Sequence, residues 1–215
     1  MLELHNLAFE RDDYALFSGV SAALGAGDIL QITGPNGCGK TTLLHILATL
    51  KQASEGDVHW CGETARRNSA YLNHTVFVGH QSALKAQLSA RENLCWYARL
   101  FGAVGSPAVD QALDQLNFTA ARDLPCHALS AGQQRRVALA ALVLRQARLW
   151  LLDEPLTALD SDGVQLIEAL LAQHLSAGGL VVFSSHQVLE HVPVRTLALA
   201  DFAPKPWFEE SSLGL

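Results

Sequence analysis

The sequence predicts an α/β fold: a core of strands and helices, with antiparallel strands at its N-terminal end and a helical segment inserted in its middle. Three observations carry this. Residues 28–33 form an apolar strand that runs directly into a glycine-rich turn and then a helix. Residues 149–152 form a second apolar strand, ending in the acidic pair Asp153-Glu154. Between the two, from about 82 to 134, strand-like runs give way to apolar residues at helical spacing.

Each element has its own signal. Residues 2–24 alternate apolar and polar in short runs broken by Arg11-Asp12-Asp13 and by Gly19, which reads as antiparallel strands. The helix that opens at Lys40 places Leu43, Ile46, Leu47 and Leu50 on one face. Residues 56–61 and 74–79 read as further strands. Ser89-Ala90-Arg91-Glu92 is a capping box, a serine whose hydroxyl caps the helix and a glutamate three residues on that reaches back. Leu94, Tyr97, Leu100 and Phe101 follow at helical spacing. Ser106-Pro107 opens another helix, with Val109, Leu113 and Leu116 apolar. Strand character returns at 149–152, 180–183 and 196–199. The expected organisation is a single domain, with residues 1–81 and 135–215 as α/β core and about 82–134 as a helical subdomain.

Composition narrows the function classes. With 215 residues, 49% of them apolar, the chain can bury a sizeable core. Its longest apolar run, 137–144, is far short of the ~20 residues that span a bilayer. The opening Met1-Leu2-Glu3-Leu4-His5 has no basic region followed by an apolar stretch, so no signal peptide is expected. A net charge of −6, with Arg66-Arg67 and Arg135-Arg136 the only adjacent basic pairs, argues against a nucleic-acid surface. Cys38, Cys61, Cys95 and Cys126 form no C-x-x-C and read as reduced, packed thiols. The nine histidines show no tight metal-ligand spacing.

Gly34-Pro35-Asn36-Gly37-Cys38-Gly39-Lys40-Thr41 fits G-x-x-x-x-G-K-[ST] at every fixed position. Glycines let successive backbone amides turn toward one point, and the helix that follows adds the positive end of its dipole. Phosphate oxygens fit there. Lys40 would supply a point charge to the β- and γ-phosphates, Thr41 a hydroxyl to Mg²⁺, and Thr42 a donor to the α-phosphate. A strand ending in Asp153 delivers its carboxylate beside such a loop, because ligands of open α/β sheets sit at the carboxyl ends of the strands. Asp153 would then hold Mg²⁺ through water, and Glu154 would polarise the attacking water.

Leu129-Ser130-Ala131-Gly132-Gln133-Gln134-Arg135-Arg136, just upstream, resembles the L-S-G-G-Q signature of the ABC ATPase family. The fold implied is the P-loop (RecA-like) core with an N-terminal antiparallel β subdomain and an inserted helical subdomain. The resemblance extends along the chain. Gln81 is similar to the family's Q-loop glutamine, which senses Mg²⁺ and the attacking water. Ala158-Leu159-Asp160 is similar to its D-loop, which crosses the dimer interface, and His186 to its switch histidine, which contacts the γ-phosphate. Ser130, Ala131, Gly132 and Gln133 would meet the ATP held by a second copy, so a head-to-tail homodimer is implied. Two positions depart from the family. Ala131 stands where glycine is usual, which is tolerated if its φ is negative. Arg11 stands near the aromatic that commonly stacks on adenine, leaving Arg11 or Tyr14 for that task.

One cassette, without long coiled coils, favours an energy subunit of a transporter. Leu16-Phe17-Ser18-Gly19, Gly79-His80-Gln81, the S-A-G-Q-Q-R-R run and Trp150-Leu151-Leu152-Asp153-Glu154-Pro155-Leu156-Thr157-Ala158-Leu159-Asp160 most closely resemble the ATP-binding subunits of haem exporters in c-type cytochrome maturation. That resemblance implies small integral membrane partner subunits, a place on the cytoplasmic face of the bacterial inner membrane, and delivery of haem to a periplasmic chaperone. The alternatives are an exporter of another small substrate or a soluble ABC ATPase. No haem pocket is legible, and His80 reads as a coupling or packing residue.

Overall fold

The computed structural model describes residues 1–11, 14–102 and 106–204. In chain order the elements are β1 (Leu2–Arg11), β2 (Tyr14–Leu24), β3 (Ile29–Thr33), α1 (Lys40–Leu47), β4 (Glu55–Trp60), β5 (Glu63–Thr64), α2 (Ser69–His74), β6 (Thr75–Val78), α3 (Ala90–Leu100), α4 (Ser106–Gln115), α5 (Ala131–Leu144), β7 (Leu149–Asp153), α6 (Ser161–Ser176), β8 (Leu180–Ser184) and β9 (Arg195–Ala198). The expected α/β class with an antiparallel N-terminal portion is what the chain forms.

Two sheets organise the molecule. The first, in the order β2-β1-β4-β5, is antiparallel, with Leu2 opposite Leu24 and Trp60. The second, β6-β7-β8-β3-β9, is parallel throughout. Every residue of β7 and β8 is buried, so these strands read as unbroken apolar runs rather than alternating ones. Alternation along β7 still sorts the faces. Leu149 and Leu151 join the core between the two sheets, with Leu2, Leu7, Phe17, Val20, α1 and Tyr71. Trp150 and Leu152 face the other way, into a core with the apolar sides of α3, α4, α5 and α6.

Sequence reading missed two helices and overextended two apolar faces. The first missed helix, α2, is capped by Asn68, whose side-chain oxygen accepts from the Tyr71 amide. The second, α6, is capped by Asp160, which accepts from the Gly163 amide. Helix α1 ends before Leu50, which is 64% exposed, while Leu44 completes its buried face. Along α3 the buried positions are Ala90, Asn93, Leu94 and Ala98; Leu100 and Phe101 face outward, and Phe101 carries the Arg145 guanidinium 4.1 Å above its ring. Among the described residues, no helix is long and apolar enough to cross a membrane.

Candidate nucleotide site

The parallel topology brings the carboxyl ends of β3, β7 and β8 to one edge, and the turn after β3 is the glycine-rich loop. Gly34, Gly37 and Gly39 all have positive φ, at 145°, 86° and 105°. At all three a side chain would be strained. Gly34 also has a packing reason, since a Cβ there would meet the Cys38 Sγ at 2.7 Å. Pro35, Asn36 and Gly37 form the exposed crest, with Cys38 half-buried beneath. Gly39 is the N-cap of α1, and no side chain caps that helix. Its first amides therefore face outward without an internal acceptor, the arrangement that receives an anion. The Lys40 side chain folds back over the loop, donating from Nζ to Gly34 O (2.8 Å) and Pro35 O (3.3 Å). Thr41 and Thr42 lie in the first turn of α1.

Opposite the loop stands a compact polar group. His186, in the segment after β8, has its Nε2 3.4 Å from Lys40 Nζ, 3.2 Å from Asn36 Oδ1 and 3.6 Å from a Glu154 carboxylate oxygen. Asp153 is almost fully buried and its Oδ1 accepts the Ser184 hydroxyl at 2.7 Å. Glu154 sits in the left-handed region at φ 50°, which costs a residue with a side chain about 1–3 kcal/mol. Two bonds hold it there: its amide donates to Ser184 O (3.1 Å) and Ser184 Oγ (3.0 Å). Ser184 thus positions both acids. Asp153 and Thr41 offer oxygen donors only, a set that fits a hard cation such as Mg²⁺.

Two buried polar residues that sequence reading passed over hold this edge together. Gln31, in the middle of β3, donates from Nε2 to Ser185 O (3.1 Å) and Gln187 O (2.9 Å), gripping the chain on both sides of His186. Arg135, on α5, donates to Asp153 O (2.7 Å), Pro155 O (3.2 Å) and Gly79 O (2.7 Å). Burial pulls its guanidinium below the usual arginine range, and the charges of Asp153 and Glu154 oppose that shift. The signal for Gln31 was legible: an amide inside an otherwise apolar strand requires partners. Arg135 reads from the sequence as half of a basic pair and as part of the signature run, neither of which shows its buried partners.

The signature residues form a second helix start. Ser130 caps α5, its Oγ accepting from the Gln133 amide, while the Gln133 side chain accepts from the Ser130 amide, a complete capping box. Ala131 is absent from the positive-φ residues, as its methyl requires. Gly132 has a reason of its own within the chain: a Cβ there would meet Ala158 O at 2.5 Å. Asp160 is joined to the same helix through Arg136, whose Nη2 lies 2.6 Å from its Oδ1. Among the described residues, no hydrogen bond links Ser130–Gln133 or Asp160 to the group around Lys40. Gln81 is exposed beyond β6 and likewise makes no hydrogen bond to that group. Arg11 and Tyr14, the candidates for the base, face each other directly across the β1–β2 pair.

A helix start open to phosphate, a lysine folded over it and a facing histidine–glutamate pair define a nucleoside-triphosphate-binding cassette. The family model described as "ABC transporter" matches residues 17–157, and the chain belongs to that family. Its relatives give the finer placement. Over 208 residues it is 49% identical to the cytochrome c biogenesis ATP-binding export protein CcmA of Yersinia pestis, with 95% of each chain covered. The protein of the same name from Pseudomonas putida is 45% identical over 205 residues, covering 94% of this chain and 98% of that one. Among solved structures, an ABC transporter ATP-binding protein from Pyrococcus furiosus superposes with a TM-score of 0.83 at 25% identity, over 94% of this chain and 99% of that one. A dimeric ATP-binding cassette in a post-hydrolysis state, bound to ADP and Pi, gives 0.75 at 25% identity, over 87% and 88%.

Proposed function

We propose that this chain is the ATP-hydrolysing subunit of an ABC export complex that serves haem delivery in c-type cytochrome biogenesis. The observation that carries the enzymatic part is the convergence of Lys40, His186 and Glu154 within 3.6 Å steps at one sheet edge. Near full-length identity to export proteins of cytochrome c biogenesis carries the choice of pathway.

In this reading the amides of Gly34 to Thr42 and the Lys40 ammonium hold the phosphates. Glu154, held at its strained φ beside the γ-phosphate position, accepts the proton of the attacking water, and His186 steadies the γ-phosphate. Thr41, Asp153 and Gln81 would hold Mg²⁺, which neutralises phosphate charge when bound. Ser130, Ala131, Gly132 and Gln133 close over the nucleotide of a second copy, and Asp160 lies at that contact, so the working unit is a homodimer. Residues 1–81 and 135–215 act as the nucleotide-binding core. The helical part near 82–134 carries the stroke to small integral membrane subunits on the cytoplasmic face of the inner membrane. The apolar hollow between Phe77, Gln81, Leu84, Leu94, Trp96 and Ala141, beside the Q-loop, supports that assignment.

Deleting the gene tests the pathway. Loss of holo c-type cytochromes, restored by the wild-type gene and not by a Glu154→Gln copy, is the expected result. Normal cytochromes in the deletion strain would leave an export ATPase for another small substrate.

A further inference from the structure

The outer face of the antiparallel sheet carries a second group of chemistry-bearing side chains, none of which belongs to the nucleotide site. On β1, Glu3 and His5 alternate with buried Leu2 and Leu4 and so point away from the core. On β4, Asp57 and His59 alternate with buried Val58 and Trp60 and do the same. The antiparallel register sets Glu3 directly opposite His59 and His5 directly opposite Asp57, a chequered arrangement of imidazoles and carboxylates. His5 Nε2 lies 3.8 Å from a Glu3 carboxylate oxygen, and the two imidazole rings are 4.8 Å apart between centroids. One ligand atom from each of Glu3, His5 and His59 lies within 4.8 Å of the other two. Linear spacing in the sequence could not show this, because the third member comes from a strand more than fifty residues away.

We propose that Glu3, His5 and His59 form a surface site for a divalent transition-metal ion of the zinc class. Two imidazole nitrogens and one carboxylate oxygen are the donor set that such ions prefer, with a fourth position left to water. Ligands about 2.0–2.1 Å from a tetrahedral ion lie roughly 3.4 Å from one another, so side-chain rotation alone, on strands already paired, closes the set. Asp57, opposite His5, is placed to accept from the imidazole nitrogen that does not bind the ion, the usual outer support of a metal-bound histidine. Without an ion the three side chains make only loose, solvent-exposed contacts with one another. A bound ion would instead pin β1 to β4.

The test is titration of Zn²⁺ into metal-stripped full-length protein without nucleotide, followed by calorimetry, with Co²⁺ absorption as a second readout. One ion per chain is expected, with a rise in Tm on Zn²⁺ addition. His5→Ala and His59→Ala each weaken binding roughly tenfold or more and remove the Tm rise. Circular dichroism and ATP binding equal to wild type show that the variants are folded. Cys61→Ser, which removes the exposed thiol near His59, leaves the isotherm unchanged. Zn²⁺ binding that survives in both histidine variants, or that disappears in Cys61→Ser alone, would overturn the assignment.

Discussion

Two helix starts, at α1 and at α5, are built in opposite ways. At α1 the N-cap is a positive-φ glycine, the loop before it carries two more, and no side chain satisfies the first amides. At α5 the N-cap is Ser130, and a full capping box with Gln133 satisfies the end from within. The first is a finished anion cradle that contributes little to its own helix. The second is a stable helix start whose serine oxygen already accepts a bond from Gln133, leaving its hydroxyl proton to donate outward. Under the proposed function, nucleotide capture and nucleotide closure should therefore be separable: damage at α1 would act on binding, damage at α5 on stability and on the step that needs two copies.

The sharpest break is expected from Glu154→Gln, which keeps ATP binding at α1 while steady-state turnover falls by about 10²–10⁴-fold, the usual worth of a general base. Turnover near wild type would remove Glu154 from that role. Lys40→Ala is next: nucleotide affinity falls roughly 100-fold, from loss of charge-assisted bonds of about 1.5–3 kcal/mol, with little change in thermal unfolding. Equilibrium dialysis and calorimetric scanning on the same sample separate the two. Ser130→Ala should show the reverse pattern, losing about 1 kcal/mol of stability through its cap while the isolated chain binds ATP as before and dimer-dependent hydrolysis falls. A variant with unchanged Tm would show that the capping box is idle. Gln31→Leu acts below both helices, lowering kcat several-fold with KM kept, because His186 loses its grip on either side; a fall in folded fraction by circular dichroism that matches the fall in kcat would point to a folding defect instead.

The smallest effect concerns pH. His174, stacked on Trp150 at 3.7 Å, is half-buried, and that burial holds its pKa below the ordinary 6.5, against the pull of the Leu180 and Arg148 carbonyls. A depressed folded value means the unfolded chain takes up the proton first. Stability is thus fully present above about pH 6.5 and declines as the pH falls through the folded value. His174→Phe should flatten that decline in Tm without moving nucleotide affinity at α1.

Much of this was legible in the residues because the relevant signals are local. The glycines and lysine of the loop, the Ser89 box and the buried runs of β7 and β8 each declare themselves within a few positions. Other features depend on what lies across space. Leu50 and Leu100 continue an apolar period that the helices themselves do not use, since α1 has ended and α3 turns that side to water. Asp160 reads from the sequence as a D-loop residue; that it caps α6 needed only the look three residues ahead to Gly163. Gly132 read as an amide donor; its close approach to Ala158 is a tertiary fact with no trace in the linear pattern. Gln31 and Arg135 are long-range bonds, so composition could show that they needed partners but not which.

Arg135 carries a consequence of its own. All its short bonds run to main-chain oxygens, at residues 79, 153 and 155, and to no side chain. A planar fork with five N–H groups can span three such acceptors, whereas a lysine ammonium reaches from a single point. The splice between α5 and the ends of β6 and β7 is therefore indifferent to which side chains occupy the positions it holds. Gly79 and Pro155 can therefore be exchanged while the mechanical joint beneath them keeps its dimensions, whereas Asp153 is tied to its identity by its own carboxylate, which Ser184 holds.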